Sequence, residues 1–281
     1  MEESAKQTLE EWVITMDART FNKFREIIYE KSGITLGPGK EALVSARVGK
    51  RMRALKMNDH KEYLNRVIQD STGEEIVQLL DVISTNVTSF FREDAHFHFI
   101  TEQIRKWLAN GQRRFRFWSA ASSTGEEPYS LAITLSEAFN GYTVDIKILA
   151  TDISTRVLQK CREGCYGADK VKPVPKGLQE RYFTRAQGKD GPLYTVKPIL
   201  REMVVFQRLN LSTPPFPMKG PFDIVLCRNV MIYFDDTIRK NLLAEIYRLL
   251  KPGGNLIVGH AESLTGMLSK FQSVRPSVYV K

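Results

Sequence analysis

Residues 115–130 read FRFWSAASSTGEEPYS, and the fold class turns on this stretch. Phe115 to Trp118 form a short apolar run, which predicts a strand. Ser119 to Gly125 form a loop of small residues, whose side chains let backbone approach a ligand closely. A helix is predicted from Glu126-Glu127-Pro128 through Tyr129, Leu131, Ile133, Leu135 and Phe139. Strand, small loop and helix N-terminus in that order make a natural nucleotide site. The loop is neither GxGxxG nor a P-loop, since no GK[ST] is present. Glutamates 126 and 127 would repel a pyrophosphate. They favour a ligand without phosphates that carries free hydroxyls or an ammonium group.

The rhythm continues downstream. Residues 145–150, DIKILA, predict a second strand closed by Thr151 and Asp152, and Ser154 reads as the N-cap of the next helix. An acid at that strand end suits ribose hydroxyls. S-adenosylmethionine, an adenosine with a sulfonium and an amino-acid tail, fits such a site best. Helix capping or plain surface placement of Glu127 and Asp152 is the competing reading, and the pattern leaves both open. Residues 222–227, FDIVLC, predict a third strand, which leads into CRNVMIYF (227–234). Arg228, Asn229 and Tyr233 there stand where such sheets place their sites; alternatively Tyr233 and Phe234 belong to the core. A helix over 236–250, the turn KPGG (251–254) and a strand over 255–259 follow. Alternating strands and helices imply a parallel, doubly wound α/β sheet. Residues 166–206 break the rhythm. They predict a small antiparallel insertion over 166–202, with Met203–Phe206 returning to the main sheet.

Upstream the pattern is helical. Phe21, Phe24, Ile27 and Ile28 fall at helical spacing within 17–29, and Gly33 and the Gly37-Pro38-Gly39 turn close that segment. In a second helix over 41–57, Val44, Val48, Met52 and Leu55 share one face. Lys40, Arg47, Lys50, Arg51, Arg53 and Lys56 lie off that face, opposed by Glu41 alone. Helices over 60–70 and 73–84 complete a bundle. In Ser84–Glu93 (STNVTSFFRE), poor helix formers sit beside Phe90 and Phe91. That reads either as a pinned linker or as a lid offering Arg92 to a carboxylate. The expected organisation is a helical domain over 1–84, linker and lid over 85–112, and an α/β domain over 113–281.

With 281 residues, 42% hydrophobic and 26% charged, the chain is no disordered, collagen-like or coiled-coil protein. Its net charge of +9 suggests an acidic partner: nucleic acid, anionic membrane or acidic protein. It contains no apolar run of about 18 residues that would cross a membrane. The N-terminus MEESAKQTLEEW lacks the features of a signal peptide. Cys161, Cys165 and Cys227 are too few for a disulfide scaffold. Of His60, His96, His98 and His260, only His96 and His98 are close in sequence. The expectation is reduced thiols and no metal.

TNVTSFFRE (85–93), FWSAASSTGEEPYS (117–130), ATDIS (150–154) and FDIVLCRNVMIYF (222–234), in this order, resemble the CheR chemotaxis methyltransferases. The resemblance extends from Phe21 to Tyr279. KPGG before an apolar strand is similar to the late turn of class I methyltransferases. The resemblance implies an all-α N-terminal domain ahead of a class I, Rossmann-like S-adenosylmethionine-dependent methyltransferase domain with a small antiparallel β insertion. It implies methylation of glutamate side chains on the cytoplasmic helices of transmembrane chemoreceptors, with S-adenosylhomocysteine as product. The enzyme would be cytoplasmic and monomeric, without nucleic acid or membrane insertion. By resemblance, Asn86, Thr88 and Arg92 match cofactor residues, Glu127 and Asp152 match the acidic cofactor ligands, and Asn210 and Leu211 match contacts after the next strand. Arg228 and Asn229 match the last cofactor pair, and Tyr233 lies near the transferred methyl. In some members the β insertion docks a receptor pentapeptide; QGKDGPLYTV (187–196) here holds no motif that decides it.

A glutamate carboxylate is ionised at pH 7, so this transfer needs no strong base. Arg92 and Tyr233 are the candidate orienting groups. Arg47, Lys50, Arg51 and Arg53 are a candidate docking surface for an acidic receptor helix, a solvated face being the alternative. A nucleic-acid methyltransferase is the rival enzyme, but no NPPY or PC motif follows the third strand. A cofactor-binding adaptor without turnover is the rival of another class.

Overall fold

The computed structural model describes residues 16–262, 264, 266, 267 and 270–281; the N-terminal reading of residues 1–12 lies outside them. The chain divides after Thr85 into two compact units.

The first unit holds α1 (Ala18–Ser32), α2 (Glu41–Ala54), α3 (His60–Gln69) and α4 (Glu74–Ile83). The Asp17 carboxylate caps α1 by accepting from the Thr20 N–H at 3.0 Å, and left-handed Gly33 ends it. Phe21, Phe24, Ile28, Val44, Val48, Met52, Tyr63 and Leu79 are buried. Leu55 is not part of the α2 face; it follows the helix as its C-cap. A buried carboxylate lies inside this bundle. Glu75 accepts from Arg51 Nε and Nη2, both at 2.8 Å, and from the Tyr63 hydroxyl at 2.9 Å. The bidentate fork supplies geometry as well as charge. It holds the Glu75 carboxyl below its ordinary range, against the opposing effect of burial.

This network narrows the charge left free on the expected docking surface. Arg51 is spent on Glu75. Arg47 donates to the Ile83 carbonyl and to Thr85 Oγ1, closing the open carbonyl end of α4. Lys50 and Arg53 alone of the four are exposed. Spacing put four cations on one side of α2, but those facing an acid or an unpaired carbonyl are drawn into the fold.

Among the described residues, the second unit carries ten strands: β1 (Arg114–Ser119), β2 (Asp145–Asp152), β3 (Cys165–Gly167), β4 (Phe183–Gly188), β5 (Gly191–Val196), β6 (Val204–Arg208), β7 (Phe222–Cys227), β8 (Leu250–Val258), β9 (Gln272–Arg275) and β10 (Val278–Val280). Seven of them form one sheet in the order β6-β2-β1-β7-β8-β10-β9, while β3-β5-β4 form the antiparallel insertion. The main sheet is mixed, because β10 runs against its neighbours β8 and β9. Side chains alternate as a pleat requires. Phe115, Phe117, Ile224 and Leu226 pack in one layer with α5 (Ala95–Ala109) and α6 (Glu126–Ala138). Trp118, Val225 and Cys227 pack in the other with Leu242, Leu243 and Ile246. β7 is buried along its whole length, as a central parallel strand should be.

Two local readings change. The stretch read as linker and lid over 85–112 contributes a helix to the second unit from residue 95. Phe97, Ile100, Ile104 and Leu108 of α5 bury in its core. KPGG does not precede a strand but lies within one. Phe222 pairs with Leu250 and Ile224 with Asn255, so the four residues bulge out of β8.

Replacing Arg51 with Ala strands Glu75 with the more distant Arg66 at 3.7 Å. Urea denaturation of the full chain at pH 7 is expected to show a loss of about 2 kcal/mol, below the roughly 3–5 kcal/mol of a fully buried pair because Arg51 is partly exposed. Because the pair lowers the Glu75 pKa from 4.5, its stabilisation is complete above that value and disappears as pH falls below it. The gap between mutant and wild type should close accordingly; a gap independent of pH would refute the assignment.

Candidate active site

Parallel strands bring the carboxyl ends of β6, β2, β1 and β7 together, where open α/β sheets bind ligands. The small-residue loop after β1 is fastened on both sides. The Ala120 N–H donates to Leu226 O at 2.8 Å, toward β7, and the Ser122 N–H to Thr151 O at 2.8 Å, toward β2. Gly125 starts α6 at φ +99°, and a Cβ there would stand 2.6 Å from the Tyr166 hydroxyl. Smallness at this position therefore serves packing.

Asp152 ends β2, 8% exposed, and accepts from the Ser123 N–H at 2.9 Å and the Ser154 N–H at 3.0 Å. Its carbonyl accepts from the Leu209 N–H at 3.0 Å, which places Asn210 at the neighbouring strand end. Asn210 turns its own side chain onto Ser212, and Leu211 is buried beside the Trp118 layer. Asp152 and Asn210 thus border one edge of the site, with Leu211 beneath.

The other edge is built on Arg228, whose side chain is 1% exposed. Its Nη1 donates to Glu127 Oε2 at 2.9 Å, and its Nη2 donates to Glu93 Oε2 at 3.2 Å and to the Arg92 carbonyl. Ser119 Oγ donates to the second Glu127 oxygen at 2.7 Å. Glu127 and Arg228, expected as separate cofactor ligands, are therefore partners. Burial pushes the Glu127 carboxyl up, against Arg228 and Ser119. Burial acts the same way on Glu93, but there Arg228 prevails and holds the carboxyl below its ordinary range. Two acids face one base, and the neighbouring charge of Glu93 adds a smaller upward push on Glu127 to that of burial.

Arg92, Asn86 and Thr88 lie half-buried on the strap 86–93. The Arg92 guanidinium folds back to donate to Val87 O at 3.1 Å, so its side chain braces the strap. Tyr233 is half-buried in the single 3-10 turn Met231–Tyr233. Phe91, Glu93, Ser123 and Asn229 adopt left-handed φ of +52°, +56°, +47° and +58°. They are four of the six described non-glycine residues that do so, and such strain gathers where a site is held in shape.

Two residues escaped the sequence reading. Glu93 accepts from Arg228 and lies 3.5 Å from Asn229 Nδ2. Glu262, 3% exposed, accepts three backbone N–H groups, those of Asn229, Met231 and Gly259, each at 2.7 Å. It fixes the loop after β7 to the exit of β8. Both lay in polar stretches with no periodicity to separate them from surface acids. Near Glu93, His96 is buried, and that burial lowers its pKa to about 4, so the ring is neutral at pH 7.

S-adenosylmethionine fits this donor set. Its ammonium and sulfonium supply the positive charge that the Glu93–Arg228–Glu127 cluster lacks, and Asp152 offers acceptors to hydroxyls. Ser123 Oγ and Arg228 Nε are buried without partners, leaving polar capacity at the same place.

Comparison with known proteins agrees. Residues 86–280 match the family model described as CheR methyltransferase, SAM binding domain, and residues 19–84 match CheR methyltransferase, all-alpha domain. S-adenosylmethionine is accordingly the cofactor. The chain is similar to the chemotaxis protein methyltransferase of Salmonella typhimurium, with 38% identity over 92% of this chain and 88% of that protein. It is similar to that of Borreliella burgdorferi, with 38% identity over 91% of this chain and 92% of that protein. For the Escherichia coli protein the identity is 37% over 92% and 89%.

Glu262→Gln turns an amide NH2 toward backbone N–H groups that a carboxylate now satisfies. Hydrogen bonds to charged groups are worth roughly 1.5–3 kcal/mol each, so calorimetric titration should show S-adenosylmethionine binding weakened by about tenfold or more. Unchanged affinity would show that the loop does not depend on Glu262.

Proposed function

The chain belongs to the CheR methyltransferase family, and from that premise we propose that it methylates glutamate side chains on the cytoplasmic helices of chemoreceptors, forming glutamyl methyl esters for chemotactic adaptation. The observation that carries this reading is the state of the site's own carboxylates. Glu93, Glu127, Asp152 and Glu262 are each tied to N–H donors, a hydroxyl or Arg228. Such a site suits an acceptor that arrives already ionised, as a carboxylate does.

When bound, the cofactor supplies an electrophilic methyl group on its sulfonium. Asp152 and Asn210 hold its adenosine end, with Leu211 lining that edge. Glu127, Arg228 and Asn229 hold the amino-acid end, together with Asn86, Thr88 and Arg92 on the strap. Arg92 and Tyr233 orient the incoming carboxylate. Their task is alignment and exclusion of water rather than proton removal, and positioning of this kind can supply roughly 7–11 kcal/mol of a barrier. Neutralising the carboxylate too tightly would lower its reactivity, and the half-buried settings of Arg92 and Tyr233 agree with loose orientation.

The acidic receptor helix docks on exposed Lys50 and Arg53 of α2. No helix among the described residues is long and apolar enough to cross a membrane, in keeping with action on receptor domains that project from one.

The direct test supplies labelled S-adenosylmethionine with chemoreceptor cytoplasmic fragments, with and without their C-terminal tails, and with RNA as the rival acceptor. The expected product is an alkali-labile methyl ester on the receptor; label on RNA, or base-stable label, would sink the proposal. For docking, Lys50→Glu with Arg53→Glu should raise the KM for receptor by about fivefold, in keeping with rim charges worth roughly 0.5 kcal/mol each. Cofactor affinity should stay unchanged. Equal rates at limiting receptor would remove α2 from the substrate surface.

A further inference from the structure

We propose that Glu93, His96 and His260 form a binding site for a divalent transition metal of the zinc type. They come from three places: the end of the strap, the first turn of α5 and the exit of β8. One ligand atom from each lies within 4.8 Å of the other two. Glu93 Oε2 and His96 Nδ1 are 3.5 Å apart, and the two imidazoles meet edge to face at 4.9 Å.

His96 gives the independent reason. It is 2% exposed, yet neither ring nitrogen has a hydrogen-bond partner. A buried imidazole left this way is costly, and a metal at one nitrogen removes part of that cost. Two imidazoles, a carboxylate and a water make the tetrahedral set that zinc accepts, with bonds of about 2.0–2.1 Å and donors about 3.3 Å apart. The Glu93–His96 pair already has that separation, and the exposed His260 ring lies against His96.

Arg228 Nη2, 3.2 Å from the same Glu93 oxygen, ties the site to the cofactor. A metal on Glu93 displaces that contact and leaves Arg228 with Glu127 and the Arg92 carbonyl. It also supplies the positive charge the cluster lacks. Metal and S-adenosylmethionine therefore oppose one another through the shared Glu93, and the opposition is reciprocal. S-adenosylhomocysteine, which has no sulfonium, is opposed less.

The test uses metal-free full-length protein titrated with zinc against a chromophoric chelator, and with cobalt to read tetrahedral ligation by absorption. The expected result is one equivalent bound, weakened at least about tenfold in His260→Ala and in His96→Gln. His98→Ala and Cys165→Ser should bind as wild type does. Retained S-adenosylhomocysteine binding shows that each variant is folded. No stoichiometric binding by wild type, or full binding by His260→Ala, overturns the site. Zinc should raise the Kd for S-adenosylmethionine more than that for S-adenosylhomocysteine; equal shifts overturn the charge coupling.

Discussion

The catalytic unit depends on one buried guanidinium. Arg228 is enclosed at the end of β7, and a charge so placed is tolerable only when paired. It is paired twice, with an acid from α6 and an acid from the strap, and its contact with the Arg92 carbonyl fixes the strap's backbone as well. Three segments distant in sequence are thereby held at one point. Because the ensemble has one acid too many, it is built to receive a cation. The electrostatics that assemble the site and those that choose its ligand are the same.

Much of the fold was legible because its strands are short, apolar and punctuated. FRFW, DIKILA and FDIVLC each declared a strand, and the first turned into a helix through a loop that only small residues could build. Helix α5 had a signal too, in Phe97, Ile100, Ile104 and Leu108, but the poor helix formers of Ser84–Ser89 masked its start. β9 was not readable: all four of its residues are exposed and carry no alternation. The KPGG bulge misled because glycine and proline mark turns far more often than they mark irregular strand.

At the site, individual candidate residues stood out in the sequence and their pairings did not. Glu127 and Asp152 stood out by position, and Arg228 by following a strong strand. That Glu127 and Arg228 neutralise one another is a relation across 101 residues, which local pattern does not encode. The same limit applies to α2. Six cations against one acid described a basic face, but the acid that claims Arg51 sits on another helix. What remains for a partner is a narrower patch than composition implied.

The strap carries an energetic cost. Phe91 and Glu93 are held left-handed by contacts to Ser130 and Arg228, and each such conformation costs roughly 1–3 kcal/mol. Any lifting of the strap would return that strain, partly offsetting the bonds broken. Local opening is therefore cheaper than its hydrogen bonds suggest, while the sheet below remains intact. The strap's grip on the α/β unit is thus a difference between two terms, the bonds to Ser130 and Arg228 and the backbone strain they hold in place.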